Sequence, residues 1–173
     1  MNKKSLTKNT KKPKSKIIVN RFDTGSWKNN FQGSKLSSTL GGVASGLGSV
    51  VSAGLANAEV VDGKEIKVDD NITLVFKKGN AGTAPAYYDA SQGIRMYQNG
   101  ATLDVKATDG RTISSIKFTF DYKQWYIAPD SGSLSAEGDV RTWTGSANAV
   151  KFTSTGTDKN HRAYIKEIEG TYY

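Results

Sequence analysis

The most constraining feature of this chain is an alternation of apolar and polar residues that begins at Ile116. Successive side chains of a strand point to opposite faces, so the alternation predicts a half-buried antiparallel strand with an aromatic inner face. Four residues are predicted to share that inner face: Ile116, Phe118, Phe120 and Tyr122. We expect the stretch 111–129, which holds this strand, to be the centre of the domain, with Trp125 and Tyr126 leading into a turn at residues 129–132.

Shorter stretches of similar character recur on both sides of the central strand, and turn residues separate them. We predict further strands at residues 65–68, 72–76, 87–88, 94–97, 103–105, 142–145, 150–153 and 164–172. Asn99-Gly100 and Asp109-Gly110 predict tight hairpins, because type I′ turns require positive φ at both central residues. The spacing indicates an all-β fold, an antiparallel β-sandwich or jelly roll of immunoglobulin-like size, over residues 58–173.

The net charge of +8 is concentrated near the N-terminal end. Residues 1–57 hold ten basic side chains and one acidic side chain, whereas residues 58–173 hold 14 basic and 15 acidic side chains. The sandwich is therefore close to neutral, and residues 1–35 are predicted to form a separate, extended basic arm.

Two interpretations of the arm stay open. Residues 1–16 cannot bury enough apolar surface to order alone, so they are either an electrostatic tether to nucleic acid or to an acidic protein surface, or a solubilising tail. Residues 17–35 either lie on another molecule, with a short strand at 17–19, or pack back on the sandwich. On the tether interpretation, the residues predicted to contact a partner are Lys3, Lys4, Lys8, Lys11, Lys12, Lys14, Lys16, Arg21 and Trp27.

No charged residue occurs between Lys35 and Glu59. Apolar residues in this stretch follow a heptad-like spacing, which predicts a packing stripe on a helix: Leu36, Leu40, Val43, Leu47 and Val50. Five glycines oppose a helix here, each by roughly 1 kcal/mol relative to alanine. Residues 36–57 are therefore a flexible linker, a helix that orders against a partner, or a membrane-active segment too rich in glycine and serine to span a bilayer.

The chain contains no motif that predicts catalysis or metal binding. There is one histidine, His161, and no cysteine, so a His pair, a thiolate site and a disulfide are all excluded within one chain. His161 is expected in an exposed turn. No phosphate-cradling glycine motif occurs, and no apolar run typical of a secretory signal peptide follows the first lysines. We predict neither enzyme activity nor a cofactor.

Two tryptophans are the candidates for ligand-facing side chains. Trp125 and Trp143 follow the pattern of aromatic residues that sugars stack on in carbohydrate-binding sandwiches. The alternative is that they fill or cover the core, which is where large aromatic side chains are commonly found.

Short motifs run through the predicted sandwich: Ile72-Thr73-Leu74-Val75-Phe76, Ala84-Pro85-Ala86-Tyr87-Tyr88, Ile94-Arg95-Met96-Tyr97, Ile116-Lys117-Phe118-Thr119-Phe120, Trp143-Thr144-Gly145, Val150-Lys151-Phe152-Thr153 and the closing residues 162–172. Through these motifs the chain resembles a β-sandwich module that recurs in proteins of the Bacteroidetes and their phages. Such modules accompany nucleases, glycan-handling proteins and surface proteins, so the resemblance implies a fold and not an activity.

With the lysine-rich arm in place of a signal peptide, the whole chain resembles a structural virion protein of a crAss-like phage. The resemblance implies a non-enzymatic auxiliary or decoration capsid protein, or another head- or tail-associated component, made in the host cytoplasm and located in the virion. Its partners would be major capsid or tail subunits, in multiple copies per particle, and packaged DNA, with no membrane span. The alternatives are a carbohydrate- or surface-binding module and a protein that binds nucleic acid nonspecifically through its arm.

Overall fold

The computed structural model of the protein describes residues 24–31 and 54–173. Several predictions fall outside these residues and are untested by the structure. They are the lysine contacts of the arm, Arg21, the strand at 17–19 and the helical stripe of Leu36, Leu40, Val43, Leu47 and Val50.

Two antiparallel sheets make up the described part of the chain, which confirms the predicted all-β sandwich. Sheet A contains, in order, β4 (Ala86–Tyr88), β5 (Gly93–Met96), β12 (Ala163–Tyr172), β7 (Ile113–Trp125), β10 (Val140–Ala147) and β9 (Ser133–Glu137), and β1 (Gly25–Asn30) also pairs with β12. Sheet B contains, in order, β2 (Glu65–Asp69), β3 (Ile72–Lys77), β6 (Thr102–Ala107), β11 (Ala149–Ser154) and β8 (Ile127–Pro129). A 3-10 turn at Asp89–Ser91 joins β4 to β5.

The core lies between the inner faces of the two sheets. Phe118 of β7 meets Phe152 of β11 edge to face, with 4.7 Å between the ring centroids. Phe31, directly after β1, meets Phe76 of β3 in the same way at 6.4 Å. Edge-to-face pairs of this kind add to the stabilisation that burial provides. The central strand therefore packs its aromatic face against the opposite sheet, as its alternation predicts.

The alternation of β7 ends at Phe120, and the prediction that Tyr122 is buried is wrong. Its side chain is 69% exposed. The pairing of β7 with β12 becomes irregular between Phe120 and Trp125, and Lys123 has a left-handed φ of 60°. A bulge of this kind changes the face to which the following side chains point. It therefore turns Tyr122 outwards.

The two predicted hairpins are also wrong, although both turns exist. Asn99-Gly100 has positive φ at both residues, 67° and 105°, but it joins β5 of sheet A to β6 of sheet B. Asp109-Gly110 joins β6 to β7, again between sheets, and only Gly110 has positive φ. The predicted positive φ at both central residues therefore holds for Asn99-Gly100 and fails for Asp109-Gly110, and both turns connect the two layers of the sandwich.

β1 lies inside the predicted basic arm, yet it belongs to the sandwich. It pairs with β12 from Gly25 opposite Tyr172 to Asn30 opposite Glu167. Trp27 is 3% exposed and joins the core. The predicted role of Trp27 as a partner contact is therefore wrong, and the alternative in which the segment packs back on its own domain holds for β1. The sandwich extends beyond residues 58–173 to include residues 24–31.

Gly170 of β12 makes room for the Trp27 indole. A Cβ at Gly170 would lie 2.3 Å from Cη2 of Trp27 and 2.5 Å from the carbonyl oxygen of Ser115. On the outer face of β1, Lys28 Nζ lies 3.3 Å from Glu167 and 3.8 Å from Glu169. Exposed ion pairs contribute little to stability, so the buried aromatic side chains hold β1 in place.

We predict that Trp27→Ala lowers the free energy of unfolding by about 3–5 kcal/mol, because it leaves a cavity where the indole packs on Gly170. Gly170→Ala should also destabilise, since the backbone oxygen of Ser115 cannot move aside. Urea denaturation of the full chain measures both effects. Tyr122→Ala is the control, expected within about 0.5 kcal/mol of the wild type because Tyr122 is exposed. A Trp27→Ala effect as small as that of the control would contradict the placement of β1.

Candidate functional site

The structure separates the two predicted ligand-facing tryptophans. Trp143 is fully buried, its Nε1 donates to the carbonyl oxygen of Ser131 at 2.6 Å, and Gly132 and Gly145 lie against its ring. The prediction that Trp143 faces a ligand is therefore wrong, and the alternative of a core residue holds. Trp125, at the end of β7, is half-buried and packs against the core, so the alternative of a residue that covers the core describes it while part of its ring stays exposed.

Arginine and tyrosine side chains gather on the outer face of sheet A, where β12 begins. Arg95 of β5 is paired with Tyr164 of β12. Its guanidinium carbon lies 4.2 Å from the ring centroid of Tyr88 on β4 and 4.8 Å from that of Tyr164. The two strands that flank β5 thus each supply one ring to the same cation, an arrangement that stabilises a guanidinium by cation–π attraction.

Arg162, directly before β12, extends this arrangement. Its guanidinium carbon lies 4.6 Å from the ring centroid of Tyr97. Its Nε donates to Oε1 of Gln98 at 2.6 Å, and its Nη1 donates to the hydroxyl of Tyr164 at 3.0 Å. Tyr164 therefore contacts both arginines. We call the group formed by Tyr88, Arg95, Tyr97, Arg162 and Tyr164 the arginine cluster.

Backbone hydrogen bonds connect the arginine cluster to the end of β7. The amide of Arg162 donates to Oε1 of Gln124 at 2.6 Å, and its carbonyl oxygen accepts from the amide of Tyr126 at 3.2 Å. Next to Tyr126, the Trp125 ring lies 4.6 Å from the guanidinium carbon of Arg141. The bulge in β7 therefore places Gln124 and Trp125 beside the arginine cluster.

The arginines of this surface have no acidic partner. Among residues 24–31 and 54–173, no carboxylate oxygen lies within 4.0 Å of Arg95, Arg141 or Arg162. Burial raises the pKa of Tyr97, and its hydrogen bond with Tyr88 adds to the rise, while Arg95 opposes it. The phenol of Tyr97 is thus neutral near pH 7 and does not balance the arginines. Arg95 and Arg162 therefore lack an ion-pair partner among the described residues, whereas the charge of Asp139 acts on Arg141.

His161 lies in a surface turn, as expected from the sequence, and hydrogen-bonds to Asp158 at 2.8 Å. This bond, followed by that from the amide of Asn160, lowers the pKa of Asp158. The His161 ring packs edge to face on Tyr126 at 4.7 Å. In the ranges that the structure covers, no three His, Cys, Asp or Glu side chains form a group able to hold a metal ion.

The sequence analysis missed the arginine cluster. Ile94 and Met96 are buried, so the alternation of β5 places Arg95 on the outer face, and the same reasoning applies to Tyr164 before buried Ile165. This alternation of buried and outward-facing residues was the signal that the sequence offered. It does not show that these two outward residues are neighbours, because β5 and β12 are far apart in the sequence.

Comparison of the chain with protein-family models, with curated proteins and with solved structures gives no match. Within residues 24–31 and 54–173, no helix has both the length and the apolarity that crossing a bilayer requires.

We predict that Arg162→Lys lowers the free energy of unfolding by about 1–3 kcal/mol, because a lysine keeps the charge but cannot bond Gln98 and Tyr164 together while covering the Tyr97 ring. Thermal and urea denaturation measure this. Lys159→Arg, at an exposed position in the preceding turn, is the matched control and should leave stability unchanged. Equal stability of both variants would show that the bonds of Arg162 do not contribute.

Proposed function

We propose that the protein is a non-enzymatic structural component of a phage virion, attached to the particle through residues 1–23, here called the basic segment. The basic segment carries eight basic side chains and one acidic side chain, a net charge of +7, whereas residues 24–173 carry 16 basic and 15 acidic, a net charge of +1. An acidic capsid or tail surface would attract the basic segment strongly and the sandwich hardly at all. On this proposal, the basic segment attaches the protein to the particle and the sandwich is displayed.

The observation that carries this proposal is the pairing of β1 with β12. The basic segment ends two residues before β1 begins, and Trp27 and Phe31 bury β1 in the core. A partner that binds the basic segment would therefore be connected to the folded sandwich through β1. The packing of β1 would therefore give an attachment through the basic segment a firm connection to the sandwich.

The direction of β12 adds support. Gly25 lies opposite Tyr172 at the end of β12, whereas the arginine cluster lies where β12 starts at Ala163. Ten residues of strand span about 30 Å. Attachment at one end of sheet A would therefore leave the arginine cluster at the end that points away from the particle.

The resemblance to virion proteins of crAss-like phages supports the assignment to a particle. It favours an auxiliary or decoration capsid protein, or another head- or tail-associated component, that stabilises the particle or displays the sandwich in many copies. The neighbours would be major capsid or tail subunits, with packaged DNA as a further partner of the basic segment.

Nonspecific nucleic-acid binding through the basic segment is the second candidate, because the same seven lysines favour it. It predicts an affinity for duplex DNA that falls steeply with salt, since each neutralised phosphate releases counterions. A filter-binding series between low and physiological salt measures the slope. A flat response would remove this candidate and leave the proposal of a protein partner intact.

To test the virion proposal, all seven lysines of the basic segment are replaced by glutamine in the phage that encodes the chain. We expect the wild-type protein in gradient-purified particles by quantitative mass spectrometry, and a loss of at least about tenfold for the variant, because the electrostatic attraction is removed. Thermal stability should not change, since β1 remains.

The matched control replaces seven exposed lysines of the sandwich by glutamine: Lys67, Lys77, Lys78, Lys106, Lys123, Lys151 and Lys159. This variant loses the same charge but should enter particles normally. Absence of the wild-type protein from purified particles would contradict the virion proposal, and equal incorporation of both variants would contradict attachment through the basic segment.

A further inference from the structure

We propose that the arginine cluster is a binding site for an acidic saccharide, a sugar chain that carries carboxylate or sulfate groups. This proposal does not depend on the virion assignment, because it concerns the outer face of sheet A and not the basic segment.

Stacking leaves one part of each guanidinium free to bind. The Tyr88 and Tyr164 rings lie over Arg95, and the Tyr97 ring lies over Arg162. Nε of Arg95 already donates to Oγ of Ser91, and Arg162 already donates from Nε to Gln98 and from Nη1 to Tyr164, so the edge that remains for a ligand is the one formed by the Nη groups. An oxyanion with two oxygen atoms, such as a carboxylate or a sulfate, matches that edge with a pair of parallel hydrogen bonds.

The distribution of charge along β12 shows where an anion is missing. Near its C-terminal end, Lys28 and Lys117 both pair with Glu169, at 3.8 and 3.3 Å. Near its start, Arg95 and Arg162 share Tyr164 without a carboxylate within ion-pair distance among the described residues. Two half-buried cations that contact one side chain repel each other, and a bound anion would relieve that repulsion.

The surroundings favour a sugar over a nucleic acid. Nucleobases bind by stacking on exposed aromatic faces, but the guanidinium groups already occupy faces of Tyr88, Tyr97 and Tyr164. The neighbouring Gln98 and Gln124 use their amide oxygens to accept from Arg162, so their NH2 groups remain as donors for sugar hydroxyls.

The position in the sheet disfavours a peptide ligand. Extended peptides bind sheets mainly by adding a strand at a free edge. β5 is hydrogen-bonded on one side to β4 and on the other to β12, so Arg95 lies on the face of paired strands. The ligand is therefore expected to lie across the outer face of sheet A and to be recognised through its side groups.

Binding is measured by isothermal titration calorimetry on the full chain with its seven basic-segment lysines replaced by glutamine, so that these lysines do not bind the probes. The probes are a heparin hexasaccharide, which carries sulfate, a hexamer of galacturonic acid, which carries only carboxylate, and neutral cellohexaose. We expect binding of at least one acidic probe and none of cellohexaose. Preference between the two acidic probes identifies which oxyanion the site takes.

The double variant Arg95→Gln, Arg162→Gln should weaken binding by about tenfold or more, because it removes both charge-assisted hydrogen-bonding edges. Arg95→Lys, Arg162→Lys is a second test in case the glutamine variant is unstable; it keeps the charge and should still weaken binding several-fold. The matched control Lys77→Gln, Lys78→Gln, at exposed positions beyond the arginine cluster, should bind as tightly as its parent.

Several outcomes would overturn the proposal. They are binding of neither acidic probe, an equal loss of affinity in the Lys77 and Lys78 control, and tighter binding of a twelve-residue oligothymidine than of either acidic probe. Arginine-to-lysine variants that lose stability yet keep full affinity would also overturn it, since they would assign the arginine cluster a purely structural role.

Discussion

The fold depends on β12 being hydrogen-bonded along both edges for most of its length. On one side it pairs with β7, and on the other it pairs first with β5 and then with β1. Without β1, the C-terminal half of β12 would present unpaired backbone groups and expose the surface of Gly170 on which Trp27 packs. An open edge of that length is a site for aggregation. β1 thus completes a sheet whose other described strands all come from beyond residue 54.

This arrangement changes the meaning of the charge distribution. The basic segment could be an independent tail, and the sequence alone leaves that interpretation open. β1 begins two residues after the basic segment, and Gly25 lies opposite Tyr172. The described strand that is nearest in sequence to the lysines is therefore part of the sandwich.

The sequence was sufficient for the class of fold and for most strands, because alternation reports which side chains are buried. Ile116, Phe118 and Phe120 are buried as their spacing predicts. It failed where the backbone departs from a regular strand, as at Tyr122, since a bulge depends on which strands pair. It also failed at Asn99-Gly100, whose φ values follow from local chemistry while the choice between a hairpin and a crossing between sheets does not.

The candidate site was harder to predict than the core. Trp143 and Trp125 look alike in the sequence. Trp143 is enclosed, because Gly132 and Gly145 pack on its ring. Trp125 follows the bulge in β7 and is only partly covered. Arg95 and Tyr164 become neighbours only through the pairing of β5 with β12. Alternation shows that a polar residue faces outwards, but it does not show which outward-facing residues are neighbours. The arginine cluster can therefore be recognised only once the strand pairing is known.

The antiparallel alignment of β1 and β12 has a mechanical consequence. If a partner holds the basic segment and a ligand pulls on the opposite end of sheet A, the force acts on β1 along the direction of β12. All six residue pairs from Gly25 to Asn30 then bear the load together in shear, whereas a pull perpendicular to the strands would open them one at a time. The sandwich is therefore built to resist extraction along the axis that joins its two ends.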